Sequence, residues 1–350
     1  MKIKIILTFD YELPLGGVKS YQKGLFEPSS NIINLADNLN IPIVLFADIC
    51  SAIKFKEWDF SFFEQFKTQI QSAIKDKHDV QLHIHPHWMD SKFENNQFFP
   101  SPKFGLSNFK DDPNYTIEDI IKLSFETLNQ ICSEVDKEYN CVAFRAGGYN
   151  IEPESKIILN TLYQLGIRIE SSVIQGLYHN HSFSKIDYRN SPKKNKWSIS
   201  INGPLISEKK SDFIEYPISS MPNSILNIIE RRLKKTLYKN KIKARKYDNT
   251  GRGFSEISKN SGWLDKMKMS LNPIVLTFDR DFITIFDLER IVDYNVKKYF
   301  SEEEIILTLI SHPKSMGEYH LKLMHDFVML MKKKFKDDLS FITYQSLLKR

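Results

Sequence analysis

The stretch Val80-Gln81-Leu82-His83-Ile84-His85-Pro86-His87-Trp88 decides how this chain is read. Three of the nine histidines stand within five residues, directly after a short apolar run. Neutral imidazole is the commonest side-chain metal ligand, and so dense a cluster points to a ligand-bearing strand end more than to a polar loop. Extended backbone would send His83, His85 and His87 to one face. Pro86 cannot donate to a ladder, so the strand is expected to end near His83. Whether extended or curled into one turn beyond that point, His83 and His87 can grip one divalent ion. His85 is open to three roles: third ligand, supporting group, or a side chain that points away.

Outward from this stretch, β-branched apolar runs alternate with amphipathic ones. Strands are predicted at Ile3–Phe9, Pro42–Ala47, Val80–His83, Cys141–Phe144, Ile167–Glu170, Phe213–Pro217, Ile274–Phe278 and Ile305–Ile310. Helices are predicted at Ser30–Asn38, Phe60–Lys75, Thr116–Lys137, Pro153–Leu165, Ser224–Lys239, Ile283–Lys298 and Gly317–Lys334. Such alternation gives an α/β fold with a mostly parallel sheet, open or closed as a barrel. Near-continuous apolar strands such as residues 41–46 fit burial on both faces. Asp10, Asp48, His83, Arg145, Glu170, Asp279 and His312 all fall at or just past predicted C-terminal strand ends, the face that carries the active site in α/β barrels. Residues 178–270 break the rhythm with basic, Asn/Ser-rich sequence, including Arg231-Arg-Leu-Lys-Lys235 and Lys239-Asn-Lys-Ile-Lys-Ala-Arg-Lys246. This stretch is expected to be an insertion or lid on one barrel domain spanning 1–350. Its charge suits a solvated helix face, a phosphate-bearing substrate or an anionic membrane surface.

Composition bounds the remaining classes. A chain of 350 residues with 41% hydrophobic and 13% aromatic residues has ample material for a core. The net charge of +6 comes with Lys, Asn and Ile abundant throughout, which argues against a nucleic-acid footprint. Cys50, Cys132 and Cys141 form neither a CxxC nor an even set, so neither a disulfide framework nor a cysteine zinc knuckle is expected. With no apolar run near the ~18 residues of a membrane span, the expectation is a soluble cytoplasmic protein.

Three further segments carry chemistry. Leu7-Thr8-Phe9-Asp10-Tyr11-Glu12 ends the first strand with two carboxylates that can ligate metal or act as general base. Phe144-Arg145-Ala146-Gly147-Gly148-Tyr149 puts an arginine, suited to orienting a carboxylate, before a glycine pair. Leu309-Ile310-Ser311-His312-Pro313 ends the last strand with a histidine. Thr277-Phe278-Asp279 echoes Thr8-Phe9-Asp10.

Taken in order, these segments resemble the polysaccharide deacetylase (NodB-homology) family of carbohydrate esterases. Thr8-Phe9-Asp10 matches the start of its Thr-Phe-Asp-Asp motif. His78 to His87 keeps the spacing of its Gly-His-Glu-Ile-Gly-Asn-His-Thr-x-x-His motif. Phe144-Arg145 to Tyr149 looks like the third motif, Glu170 stands where the fourth has Asp, and Leu309 to His312 looks like the Leu-x-x-His of the fifth. The resemblance covers residues 1–175 and 273–315, and Phe-Asp-Tyr-Glu, Leu-His-Ile-His-Pro-His-Trp and Phe-Arg-Ala-Gly-Gly are similar to a subgroup associated with bacterial surface-polysaccharide assembly. It implies a distorted (β/α)7–8 barrel and a divalent metal, commonly zinc.

By this resemblance Asp10 is the general base, His83 and His87 bind metal, Arg145 orients Asp10 and His312 is the general acid. Tyr11 stands where the family has its second Asp, so Glu12 is the expected carboxylate ligand, with Asp10 or His85 as substitutes. His85, Tyr11, Trp88, Tyr149 and Glu170 are expected around the site, Glu170 as a tether for Arg145. The implied activity is removal of an acetyl group from an N-acetylated sugar, nucleotide- or lipid-linked, in surface-polysaccharide biosynthesis. The basic insertion offers a peripheral membrane contact. The alternatives are another amide or C–N hydrolase on the same barrel, metal-free in one form, a binuclear barrel hydrolase such as an amidohydrolase or phosphoesterase, and a non-catalytic carbohydrate-binding relative.

Overall fold

A computed structural model describes the chain except residues 15–19, 95–96, 182–183, 238–268, 281 and 349–350. Seven parallel strands form the frame: β1 (Lys2–Tyr11), β2 (Val44–Asp48), β3 (Asp79–Ile84), β4 (Ala143–Ala146), β5 (Ile169–Glu170), β6 (Ile214–Glu215) and β7 (Glu304–Ser311). Around the sheet they run β6-β5-β4-β3-β2-β1-β7. The long pairing of β1 with β7 aligns Lys2 with Glu304 and Phe9 with Ser311. The ring closes on the other side through Ile218, bridged in parallel to both Ile174 and Thr308, with Ser219 N donating to Thr308 O at 2.9 Å. Closure through so short a contact makes the barrel distorted. Leu339–Phe341 adds to the lower half of β1, and Trp197–Ser198 pairs antiparallel with β6.

Parity along each strand decides which side chains enter the barrel. Ile6, Val44, Phe46, Ala143, Ile169 and Ile306 form the small cluster inside it. Ile5, Leu7, Phe9, Val80, Leu82 and Ile84 join the larger core against the helices. These helices are α1 (Glu27–Asn38), α2 (Ile49–Trp58), α3 (Phe60–Lys75), α4 (Ile117–Ser133), α5 (Ser155–Gln164), α7 (Ile285–Lys298) and α8 (Glu318–Phe335), while α6 (Ile225–Leu237) gives no described residue to this core. Thr116 and Thr284 start α4 and α7 with capping boxes closed by Asp119 and Asp287.

The expected elements are present with shifted ends, and α2 is an addition that the periodicity did not announce. It begins at Ile49 directly after β2, without a turn residue between them. The Phe213–Pro217 and Ile274–Phe278 strands shrink to Ile214–Glu215 and Ile274–Val275. Within 178–270 lie the hairpin Tyr178–His181/Ser184–Asp187, β6 and α6. The basic run 239–246 lies outside the described residues.

Candidate active site

The strand parity that sends Ile6 and Thr8 inward also sends Asp10 and Glu12 to the mouth of the barrel. On β3 the inward row is Asp79, Gln81, His83 and His85. The two rows meet: Glu12 Oε2 is 3.1 Å from His83 Nε2 and in direct contact with His85 Nε2. All three residues are at most 4% exposed. Their ligand atoms lie within 4.8 Å of one another, the one such cluster among the described residues. His83 Nδ1 is 2.8 Å from the Arg145 carbonyl oxygen. A carbonyl only accepts, so Nδ1 carries the proton and Nε2 is left to face Glu12. Two imidazole nitrogens and one carboxylate are a donor set that zinc accepts. Below them Asp48, opposite His83 in the ladder, takes the His85 backbone N–H at 3.1 Å and leaves its other oxygen buried without a hydrogen-bond partner. That orphaned oxygen is a further buried carboxyl atom near the cluster, and the residues present fit a divalent cation.

Despite burial, Glu12 is held well below the ordinary carboxylate range by His85, Lys314 and His83. Lys314 Nζ sits 2.6 Å from Glu12 Oε1, so each carboxylate oxygen has its own cationic or imidazole neighbours. Burial works against protonation of His83, but Asp10 and Glu12 outweigh it and raise its pKa.

Asp10 is oriented from below. Arg145, fully buried, donates from Nη1 to Asp10 Oδ1 at 2.6 Å and to Thr8 Oγ1 at 2.8 Å. Its Nε and Nη2 reach the Ser171 carbonyl and hydroxyl at 2.8 and 3.2 Å. Its guanidinium lies 4.1 Å over the Phe46 ring. With Oδ1 occupied, Asp10 Oδ2 faces His83 Nε2 at 3.8 Å and His312 Nε2 at 3.7 Å. His312 is the part-exposed member of the group, its side chain 26% accessible. Asp279 Oδ2 accepts from the His312 backbone N–H at 2.8 Å and lies 2.7 Å from its Nδ1. Burial disfavours the imidazolium, but Asp279, Asp10 and Glu12 override it and raise the His312 pKa to about 9.

Several residues stand elsewhere than the motif spacing suggested. Pro86 opens a helical turn over His87–Asp90, which takes His87 off the inward row. Its ring packs against Trp88 and Phe104, centroids 4.9 and 5.4 Å away, and it is not in the three-residue cluster. The second histidine of that cluster is His85, two residues from His83 rather than four. Trp88 is 1% exposed and packs on Phe55 and Phe98, so it supports His87 from within the core. Tyr11 faces the helix layer, where its hydroxyl donates to Gln69 Oε1 at 2.6 Å and its ring meets Phe66 at 5.0 Å. Tyr149 is half-buried after Gly147 and Gly148, with its own backbone at φ 61°.

Gly147 is fixed by close approach. A Cβ there would fall 2.5 Å from His85 Nδ1 and 2.6 Å from the Ile84 carbonyl. Glu170 accepts from Ser172 N at 2.8 Å and from its hydroxyl, and it lies beside the buried carboxyl of Glu215. The direct holders of Arg145 are Ser171, Thr8 and Asp10, and Glu170 acts on it through space. Sequence reasoning gave no role to Lys314 or Asp279. The signal for Lys314 is its place two residues past His312, and for Asp279 its strand-end position in the Thr-Phe-Asp echo.

No protein-family model and no curated protein matches the chain. Solved structures do match in shape. A candidate glycoside hydrolase/deacetylase of Parabacteroides distasonis superposes with TM-score 0.53 at 12% identity, over 99% of this chain and 70% of that one. A candidate polysaccharide deacetylase of Mycobacterium smegmatis gives 0.49 at 10%, over 99% and 89%. A polysaccharide deacetylase of Bacillus cereus gives 0.40 at 9%, over 99% and 94%. With the seven-strand ring and its mouth-end cluster, the chain has the fold of the distorted deacetylase barrel of the NodB-homology type.

Proposed function

We propose that the chain is a hydrolase that removes an acetyl group from an N-acetylated sugar. The observation that carries this reading is the convergence of Glu12, His83 and His85 with an acid–base pair, Asp10 and His312, at one barrel mouth. Glu12, His83 and His85 would hold a divalent metal, zinc by the donor set. Bound there, it would supply Lewis acidity toward a water and the acetyl carbonyl. Asp10 Oδ2 is the base: Arg145 occupies Oδ1 and leaves the other oxygen free at the mouth. It takes one proton of the attacking water while the hydroxyl adds to the acetyl carbon. His312 Nε2 gives its proton to the nitrogen as the C–N bond breaks, releasing acetate and a free amine. Asp279 holds His312 in the orientation and charge state for that step. Lys314 balances the charge on Glu12.

The finer reading follows the motif resemblance. The sugar is nucleotide- or lipid-linked and belongs to surface-polysaccharide assembly. The work is done in the cytoplasm, with the basic part of 178–270 serving as an insertion that touches the membrane periphery. No helix among the described residues is long and apolar enough to cross a membrane. The test is acetate release from a panel of N-acetyl-sugar donors by protein loaded with zinc or cobalt. Release abolished by His83→Ala supports the reading, and no release across the panel, or release that survives that substitution, refutes it.

A second reading rests on Lys314. Its ammonium lies 2.6 Å from Glu12, where it can neutralise that carboxylate without metal, as a metal-free C–N hydrolase would require. Full activity after exhaustive chelation, lost in Lys314→Met, would favour it.

A further inference from the structure

Helix α6 (Ile225–Leu237) reverses the usual arrangement of an amphipathic helix. Its polar edge is the one that faces the body of the protein. Lys234 Nζ lies 3.1 Å from Asp287 and 2.8 Å from Glu230, and Arg290 donates to Asn227 Oδ1 at 2.7 Å. Its apolar stripe points away from that contact. Ile225, Ile229, Leu233 and Leu237 recur every four residues with Leu226 beside them, and they are 70, 49, 58, 76 and 77% exposed respectively. A helix in a globular protein normally spends such a stripe on the core, and a contiguous exposed apolar strip marks a docking surface.

Charge selects the occupant. From Arg231 to Lys246 the sequence carries Arg231, Arg232, Lys234, Lys235, Lys239, Lys241, Lys243, Arg245 and Lys246, with no Asp or Glu. A second copy docked on the stripe would bring the helix that carries Arg231-Arg-Leu-Lys-Lys235 against its own image. Nucleic acid would meet the charge but leave five aliphatic side chains in water. A surface both anionic and apolar just beneath satisfies both features, as at the headgroup boundary of an anionic bilayer.

The helix is also in a useful place. Lys234 fastens it to Asp287 in the first turn of α7, the helix that follows Asp279, the partner of His312. It therefore stands at the mouth end of the barrel.

We propose that α6 docks the protein on anionic lipid bilayers, its Ile/Leu stripe lying in the headgroup boundary with the barrel mouth turned toward the membrane. A sugar carried on a lipid would then be presented to Asp10 and His312; that consequence rests on the deacetylase reading, while the docking does not.

The experiment is sedimentation of the full-length chain with vesicles of phosphatidylcholine alone and of phosphatidylcholine mixed with phosphatidylglycerol. The expected result is binding to the mixed vesicles, weakened by salt, and about tenfold or more weaker on the neutral ones. The triple variant L226Q/L233Q/L237Q should lose about tenfold or more in partitioning and keep the wild-type melting temperature, since these side chains are exposed. No sedimentation of the wild type with mixed vesicles overturns the proposal. So does equal binding by the triple variant, which would leave charge alone as the cause. Light scattering that shows a dimer dissociated by the triple variant, without vesicle binding, would assign the stripe to a second copy. Acetate release plays no part in this readout, so failure of the deacetylase reading leaves it interpretable.

Discussion

Tyr11→Asp separates motif matching from geometry. Matched to its motif, position 11 is where an aspartate would complete the metal site, so the substitution should repair it. Strand parity says the opposite. Tyr11 is fully buried on the helix side of β1, against Phe66 and hydrogen-bonded to Gln69 Oε1. Removing a buried aromatic of this size costs ~3–5 kcal/mol. The new carboxyl adds ~1–3 kcal/mol, because it is buried without a partner. Gln69 cannot rescue it, since its Nε2 is already committed to the Phe26 carbonyl and Ser30 hydroxyl. The loss is comparable with the ~5–15 kcal/mol that holds a typical domain folded. The assay is urea unfolding followed by circular dichroism, with zinc content of the folded fraction measured alongside. The variant should be unfolded or nearly so and gain no metal, and Tyr11→Phe should lose only ~1–2 kcal/mol. A Tyr11→Asp protein within ~1 kcal/mol of wild type that binds zinc more tightly would refute the parity assignment and the role of Glu12 with it.

Other outcomes follow from the same geometry. His85→Ala should lower zinc affinity at least about 100-fold and His87→Ala far less, by equilibrium dialysis, since only His85 shares the cluster with Glu12 and His83; equal losses would return His87 to the ligand set. Asp279→Asn should move the alkaline limb of acetate release down by about one pH unit or more, because Asp279 helps raise His312 to about 9; an unmoved limb would detach His312 from the proton transfer. The same pair stabilises the fold below the ordinary histidine pKa and loses that contribution as pH rises through about 9, so the variant's stability should be flatter across this window. Burial raises Glu170 and raises Glu215 well above its ordinary value, so the unfolded chain releases these protons first and stability falls as pH rises above the ordinary carboxylate range. Glu215→Gln should remove part of a slope of about 1.4 kcal/mol per pH unit per proton in denaturant midpoints taken between pH 5 and 8.

The parallel α/β plan was legible because the strands are mostly apolar runs with a polar side chain at or near the C-terminal end, from Asp10 on β1 to His312 after β7. The site was legible in its rows and not in its turns. Inward placement of Asp10, Glu12, His83 and His85 follows from a period of two. Placement of His87 depends on what the backbone does after Pro86, and the helical turn there breaks the row. The partnership of His312 with Asp279 spans 33 residues, and that of Lys314 with Glu12 spans 302. No local pattern reports such distances. Helix α2 was invisible for another reason: it starts at Ile49, the residue after β2 ends, and its apolar face reads as a continuation of the strand.

The way the ring closes bears on how such a protein can change. Eight aligned residue pairs join β1 to β7, while on the other side, among the described residues, Ile218 makes the one β-bridge, to Thr308, helped by hydrogen bonds between Ser219 and Thr308 and between Asn195 and Ile306. The half that holds Asp10, Glu12, His83, His85 and Arg145 is thus one continuous ladder from β7 through β4, and the clasp lies outside it. Segments away from these fastenings, such as the Tyr178–His181/Ser184–Asp187 hairpin, can lengthen, shorten or change composition with little strain on that ladder. Opening at Ile218 should precede global unfolding and appear as faster amide exchange there than along β1. A barrel fastened in this manner can acquire new docking or substrate-holding pieces at the clasp while its chemistry stays where it is.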